Sequence, residues 1–452
     1  MWRRWRGYLD NFMDKKTIKK EFNKYVSLSV FEMVCVAIYI IADTFFIALA
    51  LGAYGLAALN ISITSFTVVH SFGLMNGIGG ATQYTILKNR GENADDIFSH
   101  SLVVGLVASV IFLAIGVFFT APIAVVLGAD DVTFPMIMDY MRTIFLFAPF
   151  IVLRNILLSF IRNDNNPKLA MIGTLVGAGL NIVLDYIFLF PLDMGMFGAA
   201  LATGISLIVS IIVLCLHFRS KENQLIVLRC RILFRRIKDM LALGASTLVN
   251  ELTVAIALIV FNLVILSVEG NIGVAAYGVV MNLAIVLLSI FTGIALGIQP
   301  LLSKGHGSKD MNLVKLTMKY ALVVVCVLSI ATYIAVYFNA PAIVSLFNNE
   351  GDVTLAHLAT DGLRIYFIGL IFAGINVITA AFFSATDSPK TAISIAVLRS
   401  CVLIIPMLIV LSQMFGMNGV WASFVVTEFV VFVLAVGLVL MRFRIAKSRR
   451  TR

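Results

Sequence analysis

The chain has 452 residues, of which 60% are hydrophobic and only 13% are charged, and its mean hydropathy is +1.01. Soluble globular proteins carry about 25% charged residues, so this composition excludes the soluble class and indicates a polytopic membrane protein. The net charge of +10 comes from basic residues between apolar segments, a distribution that is typical of membrane proteins and argues against a nucleic-acid partner.

Twelve apolar segments follow a basic stretch at 1–24, where two tryptophans among arginines suit either an anchor at the lipid headgroups or a solvated tail. Each segment has at least the ~20 residues that a helix needs to cross a bilayer. In the first half they are 25–50, 56–82, 98–124, 134–160, 169–190 and 196–218. In the second half they are 240–267, 273–302, 316–338, 357–384, 392–412 and 419–441. A basic cytoplasmic linker is expected at 219–238, and a basic tail at 444–452.

Loop charge alternates along the chain and predicts the orientation. Every second loop carries Lys or Arg, as at Lys88 and Arg90, whereas the intervening loops contain neither and carry acids such as Asp130, Asp193 and Glu269. Because positively charged loops remain in the cytoplasm, we expect a multi-pass protein of the cytoplasmic membrane with both termini in the cytoplasm.

The second half repeats the first at a spacing of 216 to 222 residues. The matched pairs include Glu32 with Glu251, Asp43 with Asn262, Gln83 with Gln299, Pro167 with Pro389, and Gly195 with Gly416. Because each half contains six segments, both halves point the same way and should be related by a pseudo-twofold axis along the membrane normal. We therefore predict an all-α polytopic fold of two six-helix lobes, 25–218 and 239–443, which is an architecture of transporters.

Two acidic residues of the first half lie within apolar segments. Asn181 and Asp185 are four residues apart and share one face of a helix, and Tyr39 and Asp43 share a face in the same way. A carboxylate that faces lipid costs several kcal/mol, so both acids should face the protein interior or water. Two interpretations remain: a functional site in a shared wet pocket, which we favour, or side chains held by hydrogen bonds for packing alone.

The two carboxylates suit the binding of a coupling cation. Desolvation and mutual repulsion favour uptake of a proton, and the same oxygens together with the Asn181 amide suit Na⁺. Their counterparts in the second half, Asn262 and Pro406, do not ionise. We therefore predict a cation-coupling site at Asp43, Asn181 and Asp185, which binds either H⁺ or, as a metal site, Na⁺.

Other polar residues are candidates for substrate contact or gating. For Glu251 this role and a water-exposed carboxylate at the mouth of the bundle both remain open, and for Glu32 we favour the exposed carboxylate. Gln83, Gln299 and Asn262 are further candidates for a cavity lining, although hydrogen bonding between helices is the simpler interpretation of the two glutamines.

The chain carries no signature of an enzyme. It lacks a Walker A motif, an HExxH motif and any ligand spacing among its five histidines and five cysteines. We therefore expect a protein that is not an enzyme and that uses no cofactor other than a coupling ion. Its expected partner at this stage is the lipid bilayer, and we expect a monomer.

Several stretches resemble the multidrug and toxic compound extrusion (MATE) family, in its bacterial multidrug-exporting form. They include IADTFFIALALGAYGLAALNIS at 41–62, GIGGATQYTILKNRGE at 77–92 and LRIYFIGLIFAGINVITAAFF at 363–383, with further matches at 162–206 and 275–307. The resemblance covers nearly the whole chain. It implies a V-shaped pair of lobes that exports organic cations and other amphipathic toxins in exchange for inward Na⁺ or H⁺.

The resemblance also assigns roles to single residues. It maps the family's coupling residues onto Asp43, Asn181 and Asp185, other members of a first-lobe polar cluster onto Tyr39, Asn155 and Thr203, and the seventh-segment glutamate onto Glu251. Two features depart from the family. Asn376 and Val377 stand where some branches have a coupling aspartate, which favours coupling in the first lobe, and 25–50 lacks the proline that bends the first helix in some members.

Three alternative functions are weighed against a multidrug antiporter. A flippase for lipid-linked precursors would share the fold but needs a basic cavity for pyrophosphate, for which Arg154 and Arg399 are the candidates. An intramembrane enzyme would need a Ser/His pair, a metal motif or a paired-aspartyl signature, which the chain lacks. A signalling or structural protein does not explain buried carboxylates in one lobe. We therefore predict a secondary active multidrug antiporter, with the flippase as the alternative.

Overall fold

The computed structural model describes residues 14–228, 233–345 and 352–448, except for the side chains at 53, 255, 259, 271 and 443–448. Nearly all of the described residues are α-helical. Residues 1–13 of the basic stretch at 1–24, residues 229–232 of the linker and residues 449–452 of the basic tail lie outside the described residues.

The helices are numbered in chain order. Those of the first half are α1 Lys15–Gly52, α2 Tyr54–Arg90, α3 Ile97–Phe118, α4 Thr120–Val126, α5 Phe134–Leu146, α6 Ala148–Asn163, α7 Pro167–Leu189 and α8 Gly195–Cys215. Those of the second half are α9 Phe234–Gly270, α10 Ile272–Gly307, α11 Met311–Ser345, α12 Val353–Ala385, α13 Pro389–Val397 and α14 Ile404–Ser448. A 3₁₀ turn, Leu216–Arg219, follows α8, and a π-helical turn, Leu398–Val402, joins α13 to α14.

Many of these helices can span a membrane. Within the described ranges, ten helical stretches are long and apolar enough, or eleven if α5 and α6, which meet at 51°, form one bent span. The last of the ten, Pro389–Arg442, has 54 residues, far more than the ~20 that one crossing needs, and it is interrupted at Gly416. The polytopic all-helical class is therefore confirmed, and the number of twelve spans stays a prediction.

Glycines break the long helices at matched positions of the two halves. Gly52 (φ 64°, ψ −156°) separates α1 from α2, and Gly270 (φ 68°, ψ −155°) separates α9 from α10. Gly195 and Gly416, the matched pair further along, both have φ 57°. Only glycine adopts such angles readily, so the same residue type is required at each break. These matched breaks are what a parallel internal repeat predicts.

The chain divides into two compact units. The first unit comprises Ser27–Leu248 with Ser303–Asp310, and the second comprises Val249–Leu302 with the described residues of Met1–Val26 and Met311–Arg452. The first unit contains Asp43, Asn181 and Asp185 and therefore the whole predicted coupling site. The predicted lobe and linker boundaries remain a prediction.

Close helix contacts fix the frame of the first unit. An ideal Cβ built on Gly77 would lie only 2.5 Å from the carbonyl oxygen of Asn155, so α2 approaches the backbone of α6 at a distance that only glycine permits. Phe98 of α3 packs edge-to-face on Phe160 of α6 with ring centroids 5.0 Å apart. These contacts hold α6, which carries Arg154 and Asn155, in a defined register.

A buried carboxylate fastens the start of the linker to the first unit. Asp164, between α6 and α7, is 1% exposed and accepts hydrogen bonds from the Gln224 amide at 2.7 Å and from His217 Nε2 at 3.0 Å, with Lys88 Nζ at 3.6 Å. Burial raises the pKa of Asp164, but the bonds from His217 and Gln224 and the charge of Lys88 outweigh it and hold this pKa below its ordinary value. The linker therefore begins as an anchored segment.

Candidate functional site

A pair of carboxyl groups lies inside the first unit. Asp43 of α1 and Asp185 of α7 lie close enough for their carboxyl groups to interact electrostatically. Asp185 is completely buried, at 0% exposure, whereas Asp43 is only half-buried. Two carboxylates repel one another at this separation, whereas a proton shared between them would join them. The structure thus brings together the two acids that the apolar segments had singled out.

Local sequence sets the positions of both acids. Helix α7 begins with Pro167 at its first turn, and the Asn166 side chain caps it by accepting the Leu169 amide at 3.2 Å. This start places Asn181 and Asp185 on the buried face of α7 near its other end. Asp43 lies two and a half turns before the break at Gly52, on the half-buried side of α1.

Three oxygens at this site lack a donor among the described residues. Both carboxylate oxygens of Asp185 and the amide oxygen of Asn181 are buried and accept no hydrogen bond from an N–H or hydroxyl group there. The Asn181 amide nitrogen contacts Thr203 Oγ1 at 3.4 Å, so the amide oxygen of Asn181 points away from Thr203. An unsatisfied buried acceptor costs about 1–3 kcal/mol, and more when it is charged. A shared proton, or a cation held by these oxygens, would remove that cost.

The donor set bears on which cation fits. Within the described residues there is no group of three or more His, Cys, Asp or Glu that could hold a metal ion. A site for Na⁺ would therefore combine the two carboxylates with neutral oxygens, of which the unpartnered amide oxygen of Asn181 is the first candidate. A proton needs only the two carboxyl groups.

Two tyrosines lie near the carboxylates, and an arginine lies near one of these tyrosines. Tyr39, one turn before Asp43 on α1, is close enough to interact electrostatically with both acids and with Arg154. Tyr140 of α5 is 4% exposed and lies near the same two acids. Tyr39 was predicted as a member of the cluster; Tyr140 was missed because nothing in its local sequence distinguishes it from a core tyrosine. Arg154 carried a signal, a basic residue inside an apolar segment, but was considered only for the flippase.

Asn155 and Thr203, the other predicted members of the cluster, make different contacts. Asn155 is 1% exposed, and its amide nitrogen donates to the carbonyl oxygen of His70 at 3.1 Å, so it joins α6 to α2. Thr203 of α8 contacts Asn181, which borders the carboxylates. The structure therefore places Thr203 at the carboxylate site and uses Asn155 to hold the neighbouring helices.

Glu32 is not the water-exposed carboxylate that we favoured from the sequence. It is 3% exposed, and Arg162 donates to both of its oxygens at 3.0 and 2.8 Å. Thr174 Oγ1 donates a further bond at 2.9 Å. Burial is possible because these three bonds compensate the charge. The arrangement joins α1, α6 and α7 and leaves the carboxylate with little surface for a substrate.

For the remaining candidates, the structure shows the unit to which each belongs and how far it is buried. Glu251, Asn262 and Gln299 belong to the second unit, where Glu251 and Asn262 are half-buried. Gln83 belongs to the first unit and is 7% exposed. Whether any of them contacts a substrate stays a prediction.

The second unit holds a buried acid that sequence reasoning missed. Glu428 of α14 is 2% exposed; it pairs with Arg399 of the π-helical turn and accepts the amide nitrogen of Asn376 at 2.8 Å. The signal was available, since Glu428 lies within the apolar segment 419–441. The contrast with the first unit is informative, because Arg399 neutralises Glu428, whereas no arginine of the described ranges forms an ion pair with Asp185.

The chain is similar over most of its length to known proteins. It is 30% identical over 411 residues to the multidrug export protein MepA of Staphylococcus haemolyticus, with 89% of each chain covered. It is 29% identical over 397 residues to MepA of Staphylococcus saprophyticus, with 86% of each covered. A solved structure of a multidrug resistance MATE family transporter in its outward-facing conformation superposes with a TM-score of 0.89, at 22% identity and with 96% of this chain and 97% of that chain covered. The model of the MatE family matches residues 29–187 and 247–410, and the chain therefore belongs to the MatE family.

Proposed function

We propose that this protein is a secondary active multidrug exporter, which exchanges amphipathic, often cationic compounds for inward H⁺ or Na⁺ by alternating access. The observation that carries the proposal is the Asp43–Asp185 pair, in which Asp185 is fully buried and neither of its carboxylate oxygens has a donor among the described residues. The names of the MepA relatives, which are multidrug export proteins, support the substrate class. The alternating loop charge supports a place in the cytoplasmic membrane with both termini in the cytoplasm.

The carboxylate pair couples the two fluxes by competition. A bound cation cancels one of the two negative charges of Asp43 and Asp185 and so weakens the attraction between the site and a cationic drug, which favours release of the drug. Loss of the cation restores the negative charge, which attracts the next drug molecule. A ligand shifts the two conformations only through its different affinities for them. One charge that crosses 100 mV supplies about 2.3 kcal/mol, enough to bias such an equilibrium strongly.

A flippase for lipid-linked precursors is less well supported. Such a protein needs unpaired basic residues for a pyrophosphate group. Arg399 forms an ion pair with Glu428, so Arg154 is the remaining candidate of the two named from the sequence. Arg162, the other cation near Arg154, is bonded to Glu32, so Arg154 stands as one arginine rather than the several that a pyrophosphate group needs.

Transport in proteoliposomes tests the proposal. Efflux of a fluorescent organic cation would be measured with a pH gradient alone, a Na⁺ gradient alone, and neither. We expect one of the two gradients to drive efflux in the parent protein, and Asp185→Asn to abolish the gradient-driven part. Asp139→Asn, which changes an exposed carboxylate of α5, is the matched control and should behave like the parent. Undiminished gradient-driven efflux by Asp185→Asn would remove this residue from the mechanism.

A further inference from the structure

One arginine lines an otherwise apolar cavity between α3 and α5. The cavity has a volume of about 350 Å³, and its walls are Leu113, Gly116, Val117, Arg142 and Leu146. The Arg142 side chain is exposed and forms neither an ion pair nor a hydrogen bond with any of the described residues. Asp139, three residues earlier on α5, is not part of the cavity wall. The cavity therefore holds a positive charge for which the described part of the chain provides no partner.

The internal repeat shows what is different about this arginine. Asp139 and Arg142 recur as Asp361 and Arg364, 222 residues later. Arg364 of α12 is half-buried, and its guanidinium lies 5.3 Å from the centre of the Tyr337 ring of α11, a cation–π contact within the second unit. No ring among the described residues covers Arg142 in this way. One half thus covers the matched charge with protein, whereas the other half leaves a cavity beside it.

The cavity lies where α3 ends. Helix α3 has 22 residues, and at 1.5 Å per residue it is about 33 Å long, close to the ~30 Å of the hydrocarbon core of a bilayer. Val117 is the residue before the last of α3, so this part of the cavity lies at the boundary between hydrocarbon and headgroups. Leu113 is one turn earlier on α3, and Leu146 is one turn after Arg142 on α5, which runs in the opposite direction. Both leucines therefore lie deeper in the hydrocarbon.

The cavity opens toward lipid. Val117 is 72% exposed and Leu146 is 63% exposed, and the exposed apolar surface of a spanning helix contacts acyl chains. Gly116 closes the cavity on its inner side, because an ideal Cβ built there would lie only 2.4 Å from the Cβ of Phe145, so α3 and α5 touch at this level. The cavity is thus a groove with a positive end at the headgroup boundary and an apolar end in the hydrocarbon.

We propose that this groove binds a phospholipid, whose phosphate pairs with Arg142 while an acyl chain lies along Leu113, Val117 and Leu146. A guanidinium presents two parallel N–H groups that match a phosphate. An unpaired charge in a membrane-spanning segment is costly, and a phosphate at the headgroup boundary would compensate it. The two ends of the groove complement the two parts of this ligand. The proposal is independent of the proposed export function; the predicted orientation only makes the leaflet the one opposite the cytoplasm.

Two short-chain lipids that differ in one group test the proposal. The probes are dihexanoyl phosphatidylglycerol and dihexanoylglycerol, which has the same chains and no phosphate. Their binding to the purified full-length chain in a non-ionic detergent would be measured by native mass spectrometry. Arg142→Gln should raise the Kd of the phospholipid about tenfold to a hundredfold, the worth of a charge-assisted hydrogen bond, and leave that of dihexanoylglycerol unchanged. Arg142→Lys, which keeps the charge but not the fork, should give a smaller increase.

Two further variants and one competitor complete the test. Leu113→Trp fills the apolar end of the groove and should weaken the binding of both lipids. Arg235→Gln changes an exposed arginine of α9 outside the groove and should change neither. Equal Kd values of the two lipids in the parent, or an equal loss from Arg235→Gln and Arg142→Gln, would overturn the proposal. Displacement of the phospholipid by inorganic phosphate alone would overturn it as well, because it would indicate a site for an ion and not for a lipid.

Discussion

Breaking the buried ion pair between Glu32 and Arg162 should destabilise the protein strongly. Arg162→Leu removes two charge-assisted hydrogen bonds, of 2.8 and 3.0 Å, and leaves Glu32 buried with only the bond from Thr174. Removal of one partner from such a pair costs about 3–5 kcal/mol, because the remaining charge is left uncompensated. Glu32→Leu should cost a similar amount, since it strands the guanidinium. Thr174 can then bond to the Ala170 carbonyl, which already lies at 3.3 Å.

The double variant distinguishes a pair from two independent residues. Replacement of both charges by apolar side chains is often nearly neutral, so Glu32→Leu with Arg162→Leu should be more stable than the sum of the single effects by about 3 kcal/mol or more. The assay is the free energy of unfolding from titration with SDS in mixed micelles. His357→Leu, which removes an exposed pair with Asp361, is the control and should cost at most about 1 kcal/mol. Single variants that keep their stability but lose transport would refute the reasoning and would support a role of Glu32 in substrate contact.

Three further predictions concern buried contacts, two in the first unit and one in the second. The pKa of Asp164 in the folded protein lies below the ordinary value of an aspartate, so ionised Asp164 stabilises the fold at pH values above the ordinary pKa, and this stabilisation is lost as the pH falls through the folded-state pKa. Asp164→Asn should therefore flatten the acid side of a plot of stability against pH, and an unchanged plot would contradict this. Gly77→Ala should destabilise by about 1–3 kcal/mol, because its Cβ would meet a carbonyl of α6, whereas Gly179→Ala, which has open space, should be neutral or mildly stabilising in the same denaturation assay. Arg399→Leu should lower the free energy of unfolding by about 3–5 kcal/mol, because it leaves Glu428 buried without its partner. The double variant Arg399→Leu with Glu428→Leu should recover much of that stability, and a failure to recover it would contradict a buried pair.

The sequence allowed part of the architecture and of the site to be predicted. Apolar length and loop charge were sufficient for the polytopic class, since both follow from the thickness and polarity of a bilayer. The cost of a charge in hydrocarbon was sufficient to single out Asp43 and Asp185. Their proximity was a hypothesis that only the packing of α1 against α7 could establish.

The parts that sequence reasoning missed depend on long-range contacts. Glu32 and Arg162 are 130 positions apart, so the burial of Glu32 could not be deduced from its own segment, where it resembled an acid near a helix end. Tyr140 joins the site through the packing of α5, which no local pattern encodes. Glu428 was different, because its position within an apolar segment gave the same signal as Asp43, and the same physical argument would have found it.

The central claim is that drug and coupling cation compete for the Asp43–Asp185 pair. The most direct test is equilibrium binding of a fluorescent organic cation to the purified protein, measured as a function of pH and of Na⁺ concentration, in the parent and in the double variant Asp43→Asn with Asp185→Asn. The account predicts that the parent's apparent Kd rises with one of the two cations and that this dependence disappears in the double variant. A dependence of the same slope in the double variant would contradict the account.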